Sequence, residues 1–97
     1  MPKVNPSWYP AKMEDYPNLI EAVSRVLTRL REDAGLSKRK LAGISSIDRV
    51  YILQIEQGKY RPTLNSIFFL AQALGIPASR FVELVEREQR ILDKKCI

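Results

Sequence analysis

Ser45–Pro62, "SSIDRVYILQIEQGKYRP", is the stretch on which the reading of this chain turns. Its nine residues from Ile47 to Ile55 hold five aliphatic side chains and a tyrosine. A surface helix buries one stripe, so Ile47, Ile52 and Ile55 can face a core only if Arg49, Val50, Leu53 and Gln54 face away from it. Asp48 is an N-cap type before the run and Gly58 stops it, which bounds a helix at about 48–57. Tyr51 falls on the boundary between the two faces. The surplus apolar residues therefore belong to an outer surface rather than to extra core.

Working outward, Ser37 caps a short helix over about 38–43 with Leu41 and Ala42 inward. Upstream, Ile20, Val23, Leu27 and Leu30, with Val26 alongside, follow the i, i+3, i+7, i+10 spacing of a first helix closed by Gly35. Downstream, Thr63 caps a fourth helix with Leu64, Ile67, Leu70, Ala71 and Leu74 inward and Gly75 at its end. Pro77 opens a fifth at a first-turn position, where its missing N–H costs nothing. Phe81, Leu84, Val85 and Ile91/Leu92 carry an apolar stripe along it.

No strand-like alternation and no internal repeat interrupts this pattern. The expected fold is all-α, five helices over 18–97 joined by short turns, with a lengthened C-terminal helix. Residues 1–17 read as an extended N-terminal arm, because Pro2, Pro6, Pro10 and Pro17 break helix and deny ladder donors. Trp8, Tyr9 and Tyr16 are unusual for a free tail, so the arm is expected to pack on the domain or on a partner chain.

With 97 residues the chain suffices for one domain with one core. A single cysteine, Cys96, and no histidine remove a disulfide framework, Cys/His zinc sites and any imidazole base. Cys96 reads as an unremarkable thiol in a reducing compartment. With no clustered acid pair and no phosphate loop, neither enzymatic activity nor a cofactor nor a metal is expected. No apolar run approaches the ~18 residues of a spanning helix, so the chain reads as soluble and cytoplasmic, with no membrane partner. The net charge is +5, and between Ser37 and Arg61 six basic residues face two acidic ones, leaving +4 of it there. A solvated face explains such a segment, and so does a polyanionic partner such as nucleic acid.

Several elements in register favour the partner: Leu30, Arg31, Gly35, Leu36 and Ser37; Leu41 and Ala42; Ile52, Ile55, Glu56, Gly58, Lys59 and Pro62; then Ile67, Leu70, Ala71, Ala73, Leu74 and Gly75. Over roughly residues 26–81 the chain resembles the lambda-repressor and Cro-like (XRE-type) helix-turn-helix domain. The resemblance implies a third helix lying in the DNA major groove while the second crosses the backbone. It places base contacts on Arg49, Val50 and Gln54, with Leu53 beside them. It places phosphate contacts on Lys38 and on Gln57, Lys59, Tyr60 and Arg61. The chemistry agrees: Arg49 can bond guanine O6 and N7, Gln54 can pair with adenine, and Val50 can pack on a thymine methyl.

The Ser37-capped first turn "SKRK" opposes its own helix dipole unless an anion lies near, which adds Ser37 to the expected phosphate contacts, and the Tyr51 hydroxyl can also reach a phosphate. Glu56 looks like a base reader, yet the resemblance pairs it with Arg31 as a structural link. Three positions depart from the family pattern. Ser46 stands where a glycine is usual and must adopt a left-handed conformation or a modified turn, Lys38 replaces a glutamine, and Asp48 replaces a neutral hydroxyl residue.

The function implied is a sequence-specific, double-stranded DNA-binding transcriptional regulator, a repressor acting as a homodimer on paired half-sites. Phe69, Phe81, Leu84, Val85 and Leu92 are the candidate dimerisation residues. The alternative is an antitoxin or other module in which the arm or C-terminal helix binds a protein partner and DNA binding is autoregulatory.

Overall fold

The computed structural model describes residues 16–95, excluding the Lys95 side chain. Expectations for the arm before Tyr16, including Trp8 and Tyr9, and for Cys96 lie outside the described residues. Five helices follow one another: α1 (Leu19–Asp33), α2 (Lys38–Ser45), α3 (Arg49–Glu56), α4 (Leu64–Ala73) and α5 (Ala78–Lys95). No strand occurs among the described residues.

The caps behave as their chemistry requires. Ser37 Oγ accepts from the Lys40 N–H at 3.0 Å, an Asp48 carboxylate oxygen from Val50 N–H at 2.7 Å, and Thr63 Oγ1 from Ser66 N–H at 3.1 Å. Asp48 is thus the cap and Arg49 the first helical residue, while Gln57 ends α3 as its C-cap. The second helix outruns its expected end at Gly43, because the left-handed residue that stops it is Ser46, at φ 62°. Ser46 therefore takes the conformation that glycine adopts without strain. Pro77 lies just before α5, its carbonyl accepting from Arg80 and Phe81 at 3.0 and 3.2 Å.

The core joins Ala22, Val23, Val26 and Leu27 of α1, Leu41 of α2, Ile52 and Ile55 of α3, Ile67, Leu70 and Ala71 of α4, and Phe81, Val85 and Leu92 of α5. Two expected inward residues fall elsewhere. Ile20 lies opposite Ala22 on α1 and leaves the core to it. Leu64, in the first turn of α4 and about 60° round from Ile67, is 68% exposed.

The long fifth helix folds back along α1 rather than reaching past the domain. Buried Glu88 meets Arg25 at 3.6 Å and Arg29 at 3.1 Å. Gln89 donates to the Pro17 carbonyl at 3.1 Å, and the Asn18 amide donates to Asp93. Phe81, Val85 and Leu92 consequently occupy this chain's own core and, contrary to expectation, present no surface for dimerisation.

The expected pair of Arg31 and Glu56 is a two-pronged bridge. Arg31 Nε and Nη2 donate to the Glu56 carboxylate at 2.7 and 3.0 Å, and Nη1 donates to the Leu36 carbonyl at 2.8 Å. The Glu56 bond raises the pKa of the guanidinium above its ordinary value, against the opposing effect of burial. Ser24, two turns earlier on α1, donates to the Glu56 carbonyl. One helix thereby grips both the end of α3 and the α1–α2 turn.

Glu56→Ala, which strands a buried guanidinium, should cost about 3–5 kcal/mol in urea unfolding, while the joint apolar replacement Arg31→Met with Glu56→Leu should recover most of that loss. A cost below about 1 kcal/mol for Glu56→Ala would contradict this role. In the same assay Phe81→Ala should cost about 3–5 kcal/mol, and Ile44→Ala, at a site 52% exposed, less than about 1 kcal/mol.

Candidate nucleic-acid interface

With Ile52 and Ile55 fully buried, the rotation of α3 is fixed and its other face is turned out. Arg49 is exposed, Val50 is 54% and Leu53 37% exposed, and Gln54 is half-buried at the edge of that face. The four sequence-predicted base-contact residues therefore share one surface. Its composition, a guanidinium, an amide and two aliphatic groups, supplies hydrogen-bond donors and acceptors beside methyl-sized apolar contacts, the set needed to read base edges.

A short loop carries the remaining expected contacts past the end of α3. Gly58 at φ 74° makes the turn, and the Lys59 N–H closes it on the Gln54 carbonyl at 2.9 Å. Gln57, Lys59, Tyr60 and Arg61 are all exposed along it. Tyr51 has a positioning part as well as the expected one. Its ring lies 6.4 Å from that of Tyr60, and its hydroxyl accepts from the Thr63 N–H at 3.4 Å, tying the loop back to α3.

At the other end, Ser37, Lys38 and Arg39 of the α2 start and Arg49, Val50 and Leu53 of α3 line one cleft of about 450 Å³, with Arg31 behind. Ser37 spends its side-chain oxygen on its own helix. Lys38 Nζ lies 4.0 Å from the Glu56 carboxylate, so its charge is drawn partly inward. Asp48 spends its carboxylate on the first turn of α3, where the helix dipole also favours it. Arg39 is one of the three cations that the sequence already groups in "SKRK". The rotation of α2 puts Lys38 and Arg39 along the cleft and leaves their neighbour Lys40 out of it.

No group of metal-binding side chains occurs among the described residues. No single helix among them is long and apolar enough to cross a membrane.

The helix-turn-helix family profile matches residues 27–81. The chain is 37% identical over 57 residues to an uncharacterized HTH-type transcriptional regulator, y4dJ, of Sinorhizobium fredii, an alignment covering 59% of this chain and 70% of the relative. It is 30% identical over 76 residues to the immunity repressor protein of Bacillus phage phi105, covering 75% of this chain and 53% of the repressor. Across the curated relatives it matches, the chain spans from 36% to 70% of their length. Among solved structures it superposes with TM-score 0.68 and 29% identity on the restriction-modification controller protein C.Esp1396I, crystallised as a tetramer with its natural 35-base-pair operator, over 78% of this chain and 97% of that one. The five-helix order, the left-handed turn at Ser46 and the matched span agree, and the chain belongs to the helix-turn-helix family, of XRE type.

Proposed function

We propose that the protein is a sequence-specific, double-stranded DNA-binding regulator of transcription, a repressor that works in the cytoplasm as a homodimer. The observation that carries this reading is the outer face of α3, where Arg49, Val50, Leu53 and Gln54 stand together on a helix whose opposite face carries the fully buried Ile52 and Ile55. In this mode α3 lies in the major groove, α2 crosses the backbone, and the Gln57–Arg61 loop meets phosphates. The operator-bound controller protein and the phage repressor among its relatives support the same direction.

Support for a dimer comes from a different face. Leu64, Phe68 and Phe69 of α4 and Val82 of α5 are 68%, 58%, 44% and 43% exposed. They border two adjoining hollows of about 600 and 410 Å³ that share Leu64, Phe68 and Ala78. A contiguous apolar surface rimmed by charge marks an association site. The rim includes Glu83, whose carboxyl is held below its usual pKa by hydrogen-bonded Arg80, with help from Arg87. A second copy is the occupant proposed, since one helix-turn-helix unit reads few base pairs and a two-fold pair presents two recognition helices about 34 Å apart. Phe69, expected from the sequence, shares this face with Leu64, Phe68 and Val82, whereas Leu84 is half-buried against the core.

Selection from random duplexes should yield a two-fold-related motif. Arg49→Ala should erase the preference at its base position, at about 1–3 kcal/mol, whereas Lys59→Ala should weaken binding to every sequence alike; the reverse pattern would refute the assignment. By sedimentation, Phe68→Asp should convert the dimer to a monomer with unaltered helical content and lose the advantage of paired half-sites. A Phe68→Asp protein that stays dimeric would remove this face from consideration.

A further inference from the structure

A tight turn leads into α1. The Leu19 N–H donates to the Tyr16 carbonyl at 3.0 Å, Pro17 holds the second place, and Asn18 takes the left-handed conformation at φ 61° that the third place of a type II turn requires. The turn is clamped onto α5, where Gln89 donates to the Pro17 carbonyl and the Asn18 amide donates to Asp93. A β-turn reverses the chain, so what precedes Tyr16 is directed back along the domain rather than straight off the end of α1. Beside this exit lies a groove of about 190 Å³ between Leu19 and Val23 of α1, Ile67 of α4, and Phe81 and Val85 of α5. Its lining is apolar apart from the exposed Arg61. Tyr16, 69% exposed and outside the lining, does not cover it.

We propose that this groove is the seat of the same chain's segment Trp8–Met13, "WYPAKM", with the Trp8 indole inside it. Fifteen residues precede Tyr16, and their large apolar side chains, Trp8, Tyr9 and Met13, fall within this one segment. Reach is ample: Trp8 stands eleven residues before Leu19, up to about 36 Å of extended chain, and Leu19 itself lines the groove. Charge is complementary, since Glu14 and Asp15 link the segment to the turn and the one charged residue of the lining is Arg61. Pro2, Pro6 and Pro10 restrict the chain before it docks, which lowers the entropy lost on ordering. A tether of this length also presents the segment at an effective concentration in the millimolar range, which a second copy or another protein would have to exceed. Leu64 and Val82 border both this groove and the α4–α5 face, so the seated arm forms one edge of that face. Seating requires no DNA and leaves the outer surface of α3 untouched.

Trp8 is the chain's one tryptophan, so fluorescence of the full chain reports on the seat directly. Wild-type emission should lie at shorter wavelength, and acrylamide should quench it several-fold less, than in the same chain unfolded in urea. Leu19→Glu and Pro62→Glu each place a carboxylate in the groove, the first at a helix N-terminus where the dipole favours it. With the far-UV helical signal retained, either should return emission and quenching most of the way to the unfolded values; if Leu19→Glu loses helix, Pro62→Glu, in a loop, decides. Dilution, and Phe68→Asp at a position outside the lining, should leave both readings as in the wild type. The proposal is overturned if wild-type Trp8 is quenched as readily as in urea, or if a folded Leu19→Glu or Pro62→Glu chain keeps Trp8 protected. It is overturned equally if protection falls on dilution or with Phe68→Asp, which would place the arm on a second copy.

Discussion

The fork of Arg31 is the interaction on which the arrangement of this domain depends. It meets the Glu56 carboxylate with two nitrogens and the Leu36 carbonyl with a third, so α1, the turn into α2 and the last residue of α3 are held at one point. Ser24 adds the backbone end of the same residue. A two-turn-spaced pair on one rigid helix thereby fixes both the axis and the end of α3. The polar satisfaction is complete: among the described residues no buried side-chain nitrogen or oxygen lacks a partner. Such a bridge adds less to net stability than its geometry suggests, since desolvating both ions is costly, but it penalises any other docking of α3 by leaving a charge buried alone.

That constraint explains why an eight-residue helix can carry an exposed outer face of mixed polar and apolar side chains. In isolation a helix of two turns is marginal in water. Here Ile52 and Ile55 anchor one side, Asp48 caps one end, and Glu56 pins the other. None of these jobs falls to Arg49, Val50, Leu53 or Gln54. The outer residues are free of structural duty, so their identity can be set by what they touch.

Much of this was legible in the sequence, because the informative signals were local. Ser37, Asp48 and Thr63 are cap types placed just before apolar periodicity, and each caps. The split of Ile47–Ile55 into two faces followed from helical spacing alone, whereas the expectation for Ser46 came from the resemblance, and of its two options the structure takes the left-handed one. What was not legible depended on how helices meet. The fifth helix carries apolar residues at helical spacing whether it pairs with another chain or with its own α1; only buried Glu88 between Arg25 and Arg29 decides that it turns inward. Phe81, Val85 and Leu92 went with it into the core. Leu64 repeats the lesson on a smaller scale, since periodicity places it near the inner stripe but cannot say whether any element stands over the first turn of α4.

The same limit governs the basic residues. By charge alone, Lys38, Arg39 and Lys40 are three like residues in one helical turn, and only the family resemblance singles out Lys38. Their difference arises because Glu56, brought from eighteen positions beyond Lys38, arrives beneath α2 once Arg31 has docked it. One acid then serves two cations, and the cation next in sequence is left without a partner among the described residues. A charge pattern that is uniform along the chain becomes graded in space, from Arg31 wholly engaged, through Lys38 partly so, to Arg39 open to solvent. The interaction that fixes α3 also determines which of these charges remain exposed. Interior architecture and surface electrostatics are here consequences of one carboxylate.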